Sequence, residues 1–205
     1  IAELAECVDI AATDIENMVK FAKDNAIDLV MVVPDDPLVL GMVDAMVKEG
    51  IRAFGPRANA AIIEGSKAFS KELMKKYNIP NANYEVFTDS TSAIDYIKAQ
   101  NTFPTVIKAD GLALGKGVII AQNLEEAEQA VHEMIDDGKF GKSGSRVVIE
   151  EFLTGPEVSV LAFTDGKTVK PMVSAQDHKR AYDNDEGLNT GGMGTFSPSR
   201  LYDGA

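Results

Sequence analysis

The chain has 205 residues, of which 45% are hydrophobic and 25% charged, an ordinary composition for one large or two small globular domains. Its net charge of -12 argues against a general electrostatic affinity for nucleic acid but leaves small anionic substrates open. The chain has a single cysteine, Cys7, so it cannot form an intramolecular disulfide, and Cys7 is expected to be buried. Because no apolar run is long enough to span a membrane, the default expectation is a cytoplasmic protein without a membrane partner.

The first 56 residues alternate between helical and strand patterns. The predicted elements are a helix opened by a capping box at Thr13 and Glu16 and ending near Asn25, a strand over 27–33, a turn over 34–37, a helix to Gly50 and a strand over 51–54. Helical spacing predicts a core-facing side formed by Leu40, Val43, Met46 and Val47. This alternation is typical of a parallel, doubly wound sheet, here without its first strand.

Residues 58–77 are predicted to be helical, with a break near Gly65, and a compact module follows. Its predicted strands cover residues 84–87, 105–109, 118–121 and 146–150, and its helices begin near Asp89 and at Asn123. The resulting β-α-β-β-α-β order places a glycine-rich loop at the tip of the module, as expected for a lid. His132, on the second helix, is expected at the surface.

The glycine-rich loop covers residues 111–117 and contains Lys116. Glycines let backbone amides approach an anion and lysines supply positive charge, so the composition suits a nucleotide phosphate. The loop is not a P-loop, because Gly111 and Gly115 are one residue too close together and no hydroxyl residue follows Lys116. It is not a dinucleotide fingerprint either, because a strand follows it. Taken alone, the loop is compatible with two structures, a glycine-rich hairpin without a ligand and a flap over phosphates.

The segment after the module combines acidic and apolar residues. Glu150-Glu151-Phe152-Leu153 is followed by Gly155-Pro156-Glu157 and a strand-like run over 158–163. A strand edge at residues 151–153 would offer a carbonyl and an amide to adenine, and Glu157 would suit ribose hydroxyls. A solvated acidic turn is the alternative.

Taken together, these features resemble a known enzyme superfamily. Lys67, Lys108, the glycine loop, the 150–153 segment and Glu157 resemble those of ATP-grasp enzymes. More narrowly, essentially the whole chain resembles the family of phosphoribosylamine-glycine ligases, which are also called glycinamide ribonucleotide synthetases. The blocks that carry this resemblance are Glu64-Gly65-Ser66-Lys67, Ile107-Lys108-Ala109-Asp110-Gly111-Leu112-Ala113, Gln176-Asp177-His178-Lys179-Arg180 and Asn189-Thr190-Gly191-Gly192-Met193-Gly194.

The resemblance implies an α/β ATP-grasp fold with four parts. Residues 1–56 would be the remainder of an N-terminal doubly wound α/β substrate domain, and 57–83 the linking helices. Residues 84–150 would form the β-α-β-β-α-β lid subdomain, and 151–205 the start of an incomplete central subdomain.

The implied activity is ATP-dependent ligation of glycine to 5-phosphoribosylamine through a glycyl phosphate, in purine biosynthesis. The implied ATP-binding residues are Lys67, Lys108, Gly111, Gly115, Lys116, Gly117, Glu150, Glu151, Phe152, Leu153 and Glu157. The predicted substrate residues are Asp177, His178, Lys179, Arg180, Asn189, Thr190, Gly191, Gly192 and Met193. Lys108, Asp177, Lys179 and Arg180 are the predicted catalytic residues.

The roles within residues 177–193 follow from side-chain chemistry. Lys179 and Arg180 suit a carboxylate or phosphate, Asp177 suits an amine, and the backbone amides of residues 190–192 suit a developing oxyanion. For His178, a proton carrier and a structural hydrogen bond are both open.

Two departures from the family limit what the chain is expected to do alone. The family's opening strand and its glycine-rich turn for the ribose phosphate have no counterpart, which leaves phosphoribosylamine binding open. Ligands for Mg²⁺ or Mn²⁺ are expected beyond Ala205, so the chain is expected to be an internal fragment without activity of its own. The alternatives are another ATP-grasp carboxylate-amine ligase and a nucleotide-binding module without catalysis.

Overall fold

The computed structural model describes residues 2–112 and 117–202, which form two compact units. The first unit ends at Phe152 and the second begins at Leu153. Within the described ranges, no helix combines the length and apolar character needed to cross a bilayer.

The first unit opens with a small α/β layer. Its elements are α1 (Ile15–Asp24), β1 (Val30–Met31), α2 (Asp35–Val39), α3 (Met42–Lys48) and β2 (Ala53–Phe54). Strands β1 and β2 pair in parallel, as the alternating pattern predicts. The helices bury a cluster that includes Leu38, Met42, Val43 and Met46, so the methionines serve as core residues.

Several local predictions for this layer are wrong. Asp14, not Thr13, caps α1 by accepting a hydrogen bond from the Asn17 amide. The short helix α2 begins at Asp35, inside the turn that was expected over 34–37. Gly41, at a φ of 90°, then interrupts the helix, so the helical period restarts at Met42 and leaves Leu40 and Val47 exposed. Cys7 is exposed, because the described residues before α1 belong to neither core cluster.

Two consecutive helices follow, α4 (Ala58–Gly65) and α5 (Lys67–Lys76). The predicted break near Gly65 is present, because Ser66 has an extended backbone and its hydroxyl caps α5 by accepting a hydrogen bond from the Phe69 amide at 3.1 Å. Gly65 itself packs closely: a Cβ there would lie 3.0 Å from both methyl groups of Val39.

The predicted β-α-β-β-α-β module is also present. Its elements are β3 (Tyr84–Phe87), α6 (Ser90–Gln100), β4 (Thr105–Ala109), β5 (Val118–Ala121), α7 (Leu124–Val131) and β6 (Val147–Glu151), with a π-helical turn over His132–Asp136. The strands form an antiparallel sheet in the order β3-β6-β4-β5. Asn123 caps α7 through the Glu126 amide, as its position predicts. His132 is exposed, as expected.

The two faces of this sheet have different chemistry because side chains alternate along each strand. One face packs against α6 and α7 and contributes Ile107, Val147 and Ile149 to a buried apolar cluster. Lys108 and Glu150 lie one residue further along their strands and therefore belong to the opposite face. The sheet thus places charged groups on the side away from its helices.

The second unit consists of two hairpins. One pairs β7 (Ala162–Thr164) with β8 (Val169–Pro171), and the other pairs β9 (Gln176–Tyr182) with β10 (Glu186–Phe196). The strand expected over 158–163 forms only at its end, where residues 162 and 163 begin β7; before that, Ser159 makes an isolated bridge with Ala175. Apolar side chains such as Phe163, Val173 and Tyr182 are exposed in this unit.

Candidate functional site

Asp110 joins three elements at the end of β4. Its carboxylate accepts hydrogen bonds from the Ala68 amide at 2.7 Å, from the Ser66 hydroxyl at 3.0 Å and from the Arg146 guanidinium. Because Asp110 is 7% exposed, these charge-assisted bonds form in a largely dry environment. The network fixes the start of α5 against the strand that leads into the glycine loop.

Lys67, the first residue of α5, lies beside that loop. Its ammonium donates a hydrogen bond of 2.9 Å to the carbonyl of Gly111, and its backbone amide donates one of 3.0 Å to the carbonyl of Asp110. Burial lowers the pKa of the Lys67 ammonium; Asp110 only partly opposes this shift, and the neighbouring Lys108 lowers the pKa further. An anion bound here would relieve this unfavourable placement of positive charge.

Lys108 and Glu150 form an ion pair on the same sheet face. The Lys108 ammonium lies 2.7 Å from Glu150 Oε1, and the Glu150 side chain is 6% exposed. The pair lacks hydrogen-bond geometry, so Oε1 has no hydrogen-bond donor among the residues that the structure describes. The Lys108 side chain is partly exposed, unlike that of Glu150.

Lys71 is a charged residue at this site that the sequence interpretation missed. Its ammonium lies 2.8 Å from Glu150 Oε2, and the residue is 8% exposed. It also lies 5.5 Å from the centroid of the Tyr84 ring, within range of a cation-π contact. A spacing of four residues from Lys67 places both lysines on one side of α5, and this signal was available in the sequence.

The base of the glycine loop is held on both sides. The Ala109 amide donates to the Gly117 carbonyl at 2.8 Å, and the Ser143 hydroxyl donates to the Leu112 carbonyl at 2.9 Å. A Cβ on Gly111 would lie 2.5 Å from the Ser143 hydroxyl oxygen, so this glycine is required by close approach. The predicted phosphate contacts Gly115 and Lys116 lie outside the described residues.

The 150–153 segment supports the predicted strand edge only in part. The Glu151 amide already donates to the Asn83 carbonyl at 3.0 Å, and the Glu151 carboxylate accepts from the Asn83 backbone and side chain, which lowers the pKa of Glu151. Glu151 therefore stabilises the end of β6. In the described part of the chain, the amides of Phe152 and Leu153 have no backbone partner.

In the second unit, Lys179 lies between two carboxylates. It forms an ion pair with Glu157, and its ammonium lies 3.9 Å from Asp177. The hydrogen bond to Glu157 raises the pKa of Lys179. Lys179, a predicted substrate residue, thus contacts both the predicted ribose-binding residue Glu157 and the predicted substrate residue Asp177.

The β9-β10 hairpin contains a bulge of several residues on β10. Asn189 pairs with Arg180 and Gly194 with His178, so residues 190–193 lie opposite Lys179 alone. The Thr190 hydroxyl donates to the Lys179 carbonyl at 2.9 Å and accepts from the Gly192 amide at 3.1 Å. The Gly192 amide, which was expected to face an oxyanion, is therefore occupied.

The other predicted substrate residues belong to the same hairpin. Arg180 donates to the Gly187 carbonyl at 2.6 Å, and the ring of His178 lies 5.7 Å from that of Phe196. Gly191 has open space where a side chain would be, and Met193 is exposed. A pocket in this hairpin is lined by His178, Arg180 and Met193.

Comparison with known proteins places these features in a family. Residues 1–64 match the family model of the phosphoribosylglycinamide synthetase N domain, and residues 65–203 match that of the phosphoribosylglycinamide synthetase ATP-grasp (A) domain. The chain belongs to the phosphoribosylglycinamide synthetase family. The predicted family and ATP-grasp fold are thereby confirmed.

Curated relatives from this family are identical to the chain at about half of the aligned positions. It is 54% identical over 197 residues to phosphoribosylamine-glycine ligase from Halalkalibacterium halodurans, a match that covers 96% of the chain and 46% of the relative. The Haemophilus influenzae ligase is also 54% identical, over 95% of the chain and 45% of the relative. The chain therefore spans about half the length of these relatives.

Solved structures agree with the phosphoribosylglycinamide synthetase assignment. The Thermotoga maritima phosphoribosylamine-glycine ligase matches with a TM-score of 0.68 and 40% identity, over 74% of this chain and 38% of that one. Biotin carboxylase from Campylobacter jejuni matches with a TM-score of 0.71 but only 16% identity, over 82% of this chain and 39% of that one, which shows a shared fold alone.

Proposed function

We propose that this chain supplies the ATP lid and part of the substrate site of a phosphoribosylamine-glycine ligase. The observation that carries the proposal is the placement of Lys67 and Lys108 beside the base of the glycine loop, close enough for one ammonium to lower the pKa of the other. Two neighbouring cations next to backbone amides suit the phosphates of ATP.

The reaction begins with transfer of the γ-phosphoryl group of ATP to the carboxylate of glycine, which gives glycyl phosphate and ADP. The amine of 5-phosphoribosylamine then attacks the acyl carbon, and phosphate leaves as glycinamide ribonucleotide forms. Neither step requires a covalent bond to the protein. The protein must neutralise phosphoryl charge, align the reactants and exclude water. Lys67, Lys108 and the loop are assigned to the phosphates.

The adenosine half of ATP is assigned to the 150–157 region. The amides of Phe152 and Leu153 are unused by the backbone of the described residues and suit adenine acceptors. Glu157 is exposed and suits the ribose hydroxyls. Glu150 acts through its ion pair with Lys108, and Glu151 stabilises the end of its strand.

The acyl donor and acceptor are assigned to the β9-β10 hairpin. Lys179 and Arg180 supply positive charge for a carboxylate or phosphate, and Asp177 lies beside Lys179 as an acceptor for an amine. His178, Asn189, Thr190, Gly191 and Met193 complete the proposed surface, while the Gly192 amide would have to leave Thr190 to reach an oxyanion.

A divalent cation, Mg²⁺ or Mn²⁺, would supply charge neutralisation between the phosphates. Among the described residues, no group of three or more His, Cys, Asp or Glu side chains is placed to hold such an ion. Its ligands stay a prediction for residues beyond Ala205, and no step is assigned to the metal. The proposed setting is the cytoplasm, with glycine and 5-phosphoribosylamine as small-molecule partners and without a nucleic-acid or membrane partner.

A coupled assay of ADP release by the complete gene product tests the proposal. ADP release should require ATP, glycine and 5-phosphoribosylamine together. Release that continues without glycine, or that requires a different amino acid, would assign the protein to another ATP-grasp ligase. ATP binding without any turnover in the complete product would reduce its role to nucleotide binding.

A further inference from the structure

Lys71 has an unusual position for a lysine. It is 8% exposed, and its ammonium is surrounded by Glu150 Oε2 at 2.8 Å, the Ala82 carbonyl at 3.4 Å and the face of the Tyr84 ring. Buried lysines are rare unless a partner offsets the cost of removing the charge from water. The residue is too enclosed to reach a ligand, so any effect on binding must pass through its partner.

That partner, Glu150, is shared. Its two carboxylate oxygens lie against different lysines, Oε2 against Lys71 and Oε1 against Lys108. Two positive charges and one negative charge leave this triad with one net positive charge. Without Lys71, the carboxylate would neutralise Lys108, and the triad would present no net charge to an anion.

We propose that Lys71 is a positioning residue that neutralises Glu150 and so leaves the charge of Lys108 available to the phosphates of a nucleotide. This inference rests on the proposed function only in that Lys108 faces phosphate. It assigns the two ends of the triad to different tasks: Lys71 is structural and enclosed, whereas Lys108 is partly exposed and faces the ligand.

Binding of inorganic tripolyphosphate and of ATP to the complete gene product, measured by calorimetry, tests the proposal. Tripolyphosphate isolates the charge effect from contacts with the base. The Lys71→Met variant should bind both anions about tenfold more weakly, because the triad loses its net charge. Lys71→Arg should bind like the wild type. Lys98→Met, which removes a more exposed ion pair with Glu128, is the matched control and should have no effect.

The double variant Lys71→Met with Glu150→Gln supplies the decisive comparison. It restores one net positive charge on Lys108, so tripolyphosphate affinity should return to within about threefold of the wild type. If Lys71 only stabilised the fold, the additional Glu150→Gln substitution would not restore tripolyphosphate affinity. Tripolyphosphate binding that stays as weak as in Lys71→Met would overturn the proposal, as would unchanged binding by Lys71→Met itself.

Folding and function are separated in the same series. If Lys71→Met lacks a cooperative unfolding transition, and is therefore misfolded, only the double variant is compared with the wild type. The double variant removes both charges together and leaves no uncompensated carboxylate. It should then match the wild type in tripolyphosphate affinity, and a tenfold loss would count against the proposal. If the wild type binds ATP but shows no glycine-dependent turnover, the proposed ligase activity fails while the role of Lys71 is still decided by binding.

Discussion

The ammonium of Lys67 donates a hydrogen bond to the carbonyl of Gly111, with 2.9 Å between the nitrogen and the oxygen. The first side chain of α5 is thereby attached to the first glycine of the loop. Because the Lys67 amide also donates to Asp110, helix and loop are joined through both backbone and side chain. A ligand that draws the Lys67 ammonium away from Gly111 would release one of these two connections.

The lowered pKa of Lys67 predicts a pH dependence of ATP binding. Phosphates favour the charged ammonium, so ATP raises this pKa, and affinity should be constant below the pKa of the free protein and fall as pH rises above it. Calorimetric titrations at increasing pH, up to the ordinary lysine pKa of about 10.4, would measure the decline. In Lys67→Arg, whose guanidinium stays charged over this range, the decline should be smaller. Equal declines in both proteins would contradict the assignment to Lys67.

Gly111→Ala should disturb the loop more than the fold. The new Cβ would lie 2.5 Å from the Ser143 hydroxyl and 3.1 Å from the Ser143 backbone, so the base of the loop must shift. We expect ATP affinity to fall by about tenfold while the melting temperature changes little. Gly194→Ala, which meets nothing within 4 Å, is the control. Unchanged nucleotide affinity in Gly111→Ala would show that the loop base tolerates the displacement.

Asp110→Asn should lower stability. The substitution removes the charge from a carboxylate that accepts hydrogen bonds from Ala68, Ser66 and Arg146. Hydrogen bonds to charged groups suggest a loss of about 2 kcal/mol in the free energy of unfolding, measurable with urea. Asp89→Asn is the matched control, because Asp89 caps α6 at the surface and asparagine caps a helix equally well. Equal stabilities of the two variants would argue against the Asp110 network.

Glu157→Gln should affect two substrates at once. Glu157 raises the pKa of Lys179 and pairs with it, while both side chains stay largely exposed. The free energy of unfolding should therefore change by less than about 1 kcal/mol. The KM values for ATP and for the second substrate bound by Lys179 should both rise in steady-state assays. Glu186→Gln, an exposed carboxylate on β10 with no ion pair in the described ranges, is the control, and a change confined to ATP would separate Glu157 from Lys179.

The sequence predicted most of the lid module. Strands β3, β4 and β5 have the predicted bounds, and the caps at Asp89 and Asn123 are present, because short apolar runs between polar caps specify these elements locally. The N-terminal layer was less predictable. Gly41 resets the helical period there, so Leu40 is exposed although its spacing suggested burial.

Pairing between distant residues could not be predicted from single motifs. Lys71 looked like one of several lysines on α5, and only the fold brings it to Glu150, almost 80 positions later. The bond between the Gly192 amide and the Thr190 hydroxyl depends on a bulge whose register is set across the hairpin. The roles assigned to residues 177–193 and to the loop stay predictions.

The junction at Gly65 and Ser66 cannot serve as an ordinary domain linker. Gly65 packs against Val39 on one side, while Ser66 caps α5 and binds Asp110 on the other. One residue inserted between Ser66 and Lys67 would turn Lys67 by about 100° around α5 relative to the Ser66 cap and away from the loop. The matched N and ATP-grasp family models meet at this point, yet gene fusions or exchanges between relatives would be better spliced elsewhere, because the spacing across this boundary is itself part of the site.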